Sequence, residues 1–187
     1  DTDFKKVNII SIIAIFVIVA FVFTSISIPI FLILVIQLAI FINMCVPFYT
    51  GNAIPFIASI IIGSIQLGAT VDYAILLTTR FREEIRNGHN KFDAMEISVR
   101  ESARSIVTSG CTFFAATIGV GVISKIEIIK SMSVMIARGA LVSTGVILFI
   151  LPGILIACEG FIAKTSKNWN TSIVDKIKEG NIIYENK

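Results

Sequence analysis

One carboxylate stands where a carboxylate is costly. After Lys6 no residue carries a formal charge until Asp72, and the next one, Arg80, follows eight residues later. At helical rise Asp72 lies about 12 Å inside the boundary that Arg80 marks. An ionised acid within hydrocarbon costs about 2.5–3.5 kcal/mol even on the lowest scales. A group that is expensive when charged and tolerated when neutral can take up and release a proton, as a relay requires. Tyr73 adds a hydroxyl that donates or accepts. Ser64, Gly68 and Asp72 recur at spacing four, so one helical face offers small residues for close helix approach. Gln66, Thr70 and Tyr73 form a second polar stripe. The structural alternative is an Asp that only joins helices by hydrogen bonds.

Arg138 is the evident counter-charge, but depth argues against it. It precedes Glu159 by 21 residues, or about 31 Å of helix, which leaves it about 19 Å from Asp72 along the membrane normal. Arg138 is therefore expected to snorkel outward or to bind loop carbonyls. Ser109, Gly110 and Thr112, with Thr117, are candidates to pack near Asp72 or to offer it neutral hydrogen bonds.

These residues need apolar helices to hold them. Only 16% of residues are charged, against about a quarter in soluble domains. The uncharged run from Val7 to Val71 would extend about 100 Å as helix, enough for three crossings of a 30 Å hydrocarbon layer. Five spans are predicted, over about residues 7–24, 30–46, 53–79, 105–124 and 131–158. Ser25, Ser27 and Pro29 mark the first turn, and Pro47, Gly51 and Asn52 the second. Pro152 is expected to kink the fifth span. The fold class is thus an all-α membrane protein, with residues 1–162 as the transmembrane domain and 163–187 as a polar tail. Trp169 is a candidate interfacial anchor in that tail.

The polar segment 80–104 separates spans three and four. Gly88 breaks it, and Asn90 with Asp93 has the pattern of a helix N-cap and acidic first turn. Phe92, Met95, Val99 and Ile106 share a helical face. An amphipathic helix along the membrane surface is expected there. Segment 80–104 and the tail hold eleven Lys and Arg, against four in Lys5, Lys6, Lys125 and Lys130. The positive-inside rule then places the segment and the C-terminus in the cytoplasm, and the N-terminus outside a cell membrane. The outward N-terminus and the absence of an initiating Met suggest a piece of a longer protein.

Other chemistry finds little support. Cys45, Cys111 and Cys158 lie far apart in apolar stretches without a CxxC pattern, and His89 is the lone histidine. Buried, inert thiols are expected, with no metal site and no cofactor. No grouping of a catalytic triad, HExxH or phosphate loop is present, so no enzyme is expected. A nucleic-acid partner is not expected; the lipid bilayer is.

The stretch Gly68-Ala69-Thr70-Val71-Asp72-Tyr73, running into Thr79-Arg80-Phe81-Arg82-Glu83-Glu84, resembles the Gly-x-x-x-Asp-Tyr segment and basic exit of the MMPL family. That family belongs to the resistance-nodulation-division (RND) superfamily of transporters. Gly88, Ala94, Ala103 and Leu151-Pro152 match it further, over about residues 5 to 160. The resemblance implies two similar halves, each with one helix, a large extracytoplasmic domain and five more helices. This chain resembles the last five helices of the C-terminal half. The resemblance also implies that Asp72 and Tyr73 carry proton translocation in an exporter of lipid-like or amphipathic compounds. Partners would then be the missing N-terminal half, the extracytoplasmic domains and further copies in an oligomer. The alternative is a non-transporting membrane module of the same fold, such as a sterol-sensing-like or assembly domain.

Overall fold

The computed structural model describes residues 2–23, 25, 27–50 and 56–165. They form five helices: α1 Thr2–Phe23, α2 Ser27–Thr50, α3 Phe56–Arg86, α4 Lys91–Ile123 and α5 Glu127–Thr165. The tail beyond 165, with Trp169 and most of its lysines, lies outside the described residues. Helices α2 to α5 are each long and apolar enough to cross a membrane; α1 contributes the shorter apolar stretch Ile9–Phe23. With 31, 33 and 39 residues, α3, α4 and α5 run roughly 46 to 58 Å. That exceeds a 30 Å hydrocarbon layer, so their ends project from it or the helices tilt.

The outer surface is apolar. Phe21 and Phe149 are 85% and 84% exposed, which suits contact with lipid tails and would be a liability in water. Inside, Leu32, Ile36, Leu67, Leu77, Phe81, Ile147 and Leu151 join in one core. Helix α5 is central and packs against α2, α3 and α4. It runs unbroken through Pro152.

The α3–α4 connection is far shorter than the sequence suggests. Residues 80–104 are almost wholly helical, and only 87–90 turn the chain. Gly88 has a φ of +94°, the left-handed conformation that glycine adopts without strain. Its N–H bonds the Ile85 carbonyl at 3.1 Å, and the His89 N–H bonds the Glu84 carbonyl at 3.3 Å. This pair of bonds is a Schellman cap. Asn90 then caps α4, its side chain accepting from the N–H groups of Phe92 and Asp93 at 2.9 and 3.0 Å.

A separate amphipathic surface helix is absent from this stretch. Its residues are the opening turns of α4, which continue into the fourth span because no Gly or Pro breaks the helix between Asn90 and Ser109. Ala94, Met95, Ser98, Ser102 and Ile106 are buried, whereas Phe92 is 64% exposed. Small residues at 94, 98 and 102 let α4 lie close along the bundle. Arg80 of α3 pairs with Glu101 of α4 and with Glu83 of its own helix at 2.7 Å. The hairpin thereby sets α3 and α4 side by side from the turn to the level of Ala69 and Phe113.

Candidate functional site

Asp72 opens onto a groove between α3 and α4. Its walls are Ala69, Asp72, Tyr73 and Leu76 from α3, and Ser105, Ile106, Ser109 and Phe113 from α4, around a cavity of about 470 Å³. The short hairpin dictates this pairing: antiparallel helices joined by four residues bring positions equally far from the turn together. Asp72 is exposed on the isolated bundle and Tyr73 is half-buried. Among the described residues Asp72 has no ion-pair partner. An acid facing outward within a membrane span can meet a group from another helix, which a core acid cannot.

The remaining candidates divide by face. Ser109 lines the groove. Gly68 is exposed, with open space where a side chain would stand, and Ser64 is half-buried. Among the described residues the Ser64–Gly68–Asp72 face therefore lies largely uncovered. Gly110 points the other way: a Cβ there would collide with the Thr144 hydroxyl of α5. Gly110 is a contact point for α5 rather than a neighbour of Asp72. Thr112 is exposed and bonds the Thr108 carbonyl of its own helix at 2.8 Å. Thr117 likewise bonds the Phe113 carbonyl at 2.8 Å.

A second polar centre lies deeper, and sequence reasoning missed it. Asn43 Nδ2 donates to Gln66 Oε1 at 2.8 Å and to the Met135 carbonyl at 3.3 Å. Gln66 Nε2 donates to Ser143 Oγ at 2.9 Å and to the Gly139 carbonyl at 3.4 Å. Asn43, Gln66 and Ser143 are buried. Arg138 Nε donates to Asn43 Oδ1 at 3.1 Å, and its Nη2 reaches the Asn43 carbonyl at 3.5 Å. Arg138 thus neither snorkels nor meets a loop; it binds a side chain and a carbonyl within α2. The network joins α2, α3 and α5. A buried amide must find partners in hydrocarbon, so an Asn in an apolar span was the available signal. Of the second stripe, Gln66 and Thr70 serve the core, with Thr70 Oγ1 bonding the Gln66 carbonyl at 2.6 Å; only Tyr73 reaches the groove.

The cysteines also differ from expectation. All three are free, but Cys45 and Cys111 are exposed and Cys158 is half-buried. An apolar stretch alone does not separate lipid-facing from protein-facing positions.

Long apolar helices, an apolar exterior and a polar interior network define a multi-pass helical membrane protein. A sequence profile of the MMPL family matches residues 1–174, and the chain belongs to that family. It is 32% identical over 98 residues to the membrane protein ActII-3 of Streptomyces coelicolor, covering 52% of this chain and 14% of that protein. It is 39% identical over 90 residues to the membrane protein YdgH of Bacillus subtilis, covering 47% and 9%. It is 27% identical over 109 residues to the trehalose monomycolate exporter MmpL3 of Mycobacterium tuberculosis, covering 58% and 11%. The chain therefore matches only a small part of each relative's length. No solved structure matches it.

Proposed function

We propose that this chain is part of the membrane domain of a proton-motive-force-driven exporter of lipid-like or amphipathic compounds, with Asp72 and Tyr73 as its proton relay. The carrying observation is Asp72 itself: a carboxylate in a spanning helix, lining a groove beside Tyr73, with no cation among the described residues paired to it. Its outward aspect suits a relay completed by helices from the rest of the transporter. Family membership supports transport, and the similarity to MmpL3 supports a lipid-like cargo. In this reading the hairpin turn at Gly88 and the C-terminus are cytoplasmic, and the N-terminus is extracytoplasmic.

The test is Asp72→Asn in the full-length transporter, at matched membrane expression and under an imposed proton gradient. The substitution keeps size and hydrogen bonding but removes titration. Loss of gradient-driven export with normal insertion is expected. Full export would reduce Asp72 to a helix-packing residue.

A further inference from the structure

A cationic groove lies at the polar end of α3, away from Asp72. Thr79, Arg82, Glu83, Arg86 and Asn87 line a cavity of about 440 Å³. Arg82 and Arg86 stand one turn apart on the same helix face, where like charges repel. Their Nε atoms are shielded from solvent and have no partner. Glu83 also lines the groove, and one of its carboxylate oxygens accepts from Arg80 Nη1 at 2.7 Å. Two guanidinium groups thus line the groove with unpartnered Nε donors, beside Thr79, Asn87 and the Arg80-paired Glu83.

We propose that Arg82 and Arg86 bind a phosphate group, supplied by the headgroup of an anionic phospholipid. A phosphate between two guanidinium groups relieves their repulsion and accepts paired, charge-assisted hydrogen bonds from each. The surroundings favour a lipid over a free anion. Arg82 Nη1 donates to the carbonyl of Phe23 at 3.3 Å, which ties the groove's first arginine to the end of α1. Phe21 and Val22, just before it, are 85% and 51% exposed, an apolar surface along which acyl chains would run. Basic pockets between spanning helices at the membrane boundary have this combination of cation and apolar wall.

Arg82 has a second role to separate from binding, since a cation at the last carbonyls of α1 also stabilises that helix end. Among the described residues Arg86 has no hydrogen-bond or ion-pair partner, so Arg86→Gln is the cleaner variant. The chain is purified in detergent, stripped of lipid and titrated with fluorescent phosphatidylglycerol or phosphatidylcholine in mixed micelles, with inorganic phosphate as competitor. The wild-type chain should prefer phosphatidylglycerol. Arg86→Gln should weaken that binding several-fold and Arg82→Gln/Arg86→Gln by about ten-fold or more, as expected for lost charge-assisted contacts. Thermal unfolding of Arg86→Gln should match wild type. Arg82→Lys/Arg86→Lys, which retains both charges without the forked donors, should bind with intermediate strength and covers the case in which the double Gln variant misfolds. Arg100→Gln, an exposed arginine on α4, should leave binding unchanged. An equal loss in Arg100→Gln and Arg86→Gln would reveal diffuse surface charge and overturn the site. Arg86-dependent binding of inorganic phosphate without preference for phosphatidylglycerol would overturn the lipid assignment.

Discussion

Asn43 on α2 and Gln66 on α3 meet side chain to side chain at 2.8 Å, and Arg138 on α5 closes onto the same Asn43 at 3.1 Å. Asn43 donates to the Gln66 oxygen, and the guanidinium donates to the Asn43 oxygen that Gln66 leaves free. Asn43→Ala leaves Gln66 and Arg138 short of partners at once. A loss of about 1–3 kcal/mol is expected. Gln66→Leu should cost less than Asn43→Ala, because it leaves the Arg138–Asn43 bond in place. Thermal unfolding of the purified chain in detergent checks the order; equal losses would mean that the network is not centred on Asn43.

Gly139 is required where it stands. A Cβ there would fall 2.7 Å from Asn43 Nδ2 and 2.8 Å from Gln66 Oε1. Gly139→Ala should therefore destabilise by about 1–3 kcal/mol through overpacking. Gly145, on the same helix, has open space instead. Gly145→Ala should be neutral or stabilise by up to about 1 kcal/mol, since Ala is the better helix former. Matched losses in the two variants would show that the polar contact at 139 is not decisive.

Gly110 and Thr144 should behave as a coupled pair. Gly110→Ala collides with the Thr144 hydroxyl, and Thr144→Ala removes the obstacle. The double variant should recover most of the stability lost in Gly110→Ala, giving a coupling of about 0.5–3 kcal/mol. Additive losses would place Gly110 away from α5.

Topology can be read by chemistry. In a Cys-free background of the full-length protein, a cysteine at His89 should resist impermeant thiol reagents in intact cells, and one at Glu127 should react. Both positions are exposed in turns or helix starts at opposite ends of α4, so accessibility is not confounded by burial. The reverse pattern would invert the orientation drawn from the positive-inside rule.

Tyr73→Phe separates hydrogen bonding from titration. It removes one hydroxyl from the groove and leaves the Asp72 carboxyl in place. Gradient-driven export should fall less than in Asp72→Asn, or equally if the two residues act as one relay. Unimpaired export by Tyr73→Phe would remove Tyr73 from the pathway.

The five helices were legible from the chain alone, because a run such as Val7–Val71 without formal charge has few stable arrangements other than spanning helices. Gly88 and Asn90 were read as punctuation for the right reason, whereas Pro47 lies inside α2 and Gly51 and Asn52 lie outside the described residues. The extent of the hairpin was not legible. Charges between Arg80 and Arg104 look like a loop when read against hydrocarbon, yet a helix can extend past the membrane, where charge costs little; here the polar turns of α3 and α4 simply continue their spans.

Sequence by itself determined which residues are expensive: Asp72, Gln66 and Arg138 stand out because hydrocarbon makes each polar group conspicuous. It did not determine which neighbours relieve that cost. Periodicity places a residue on a face of its own helix, but which helix covers that face depends on packing across distant parts of the chain. Only the tertiary structure put Arg138 on Asn43, 95 residues away in sequence, and turned Gly110 toward Thr144 while leaving Gly68 uncovered. The same packing left Asp72 exposed in its groove with α4, because α5 meets the Gln66 side of α3 with Ser143 and Gly139 instead.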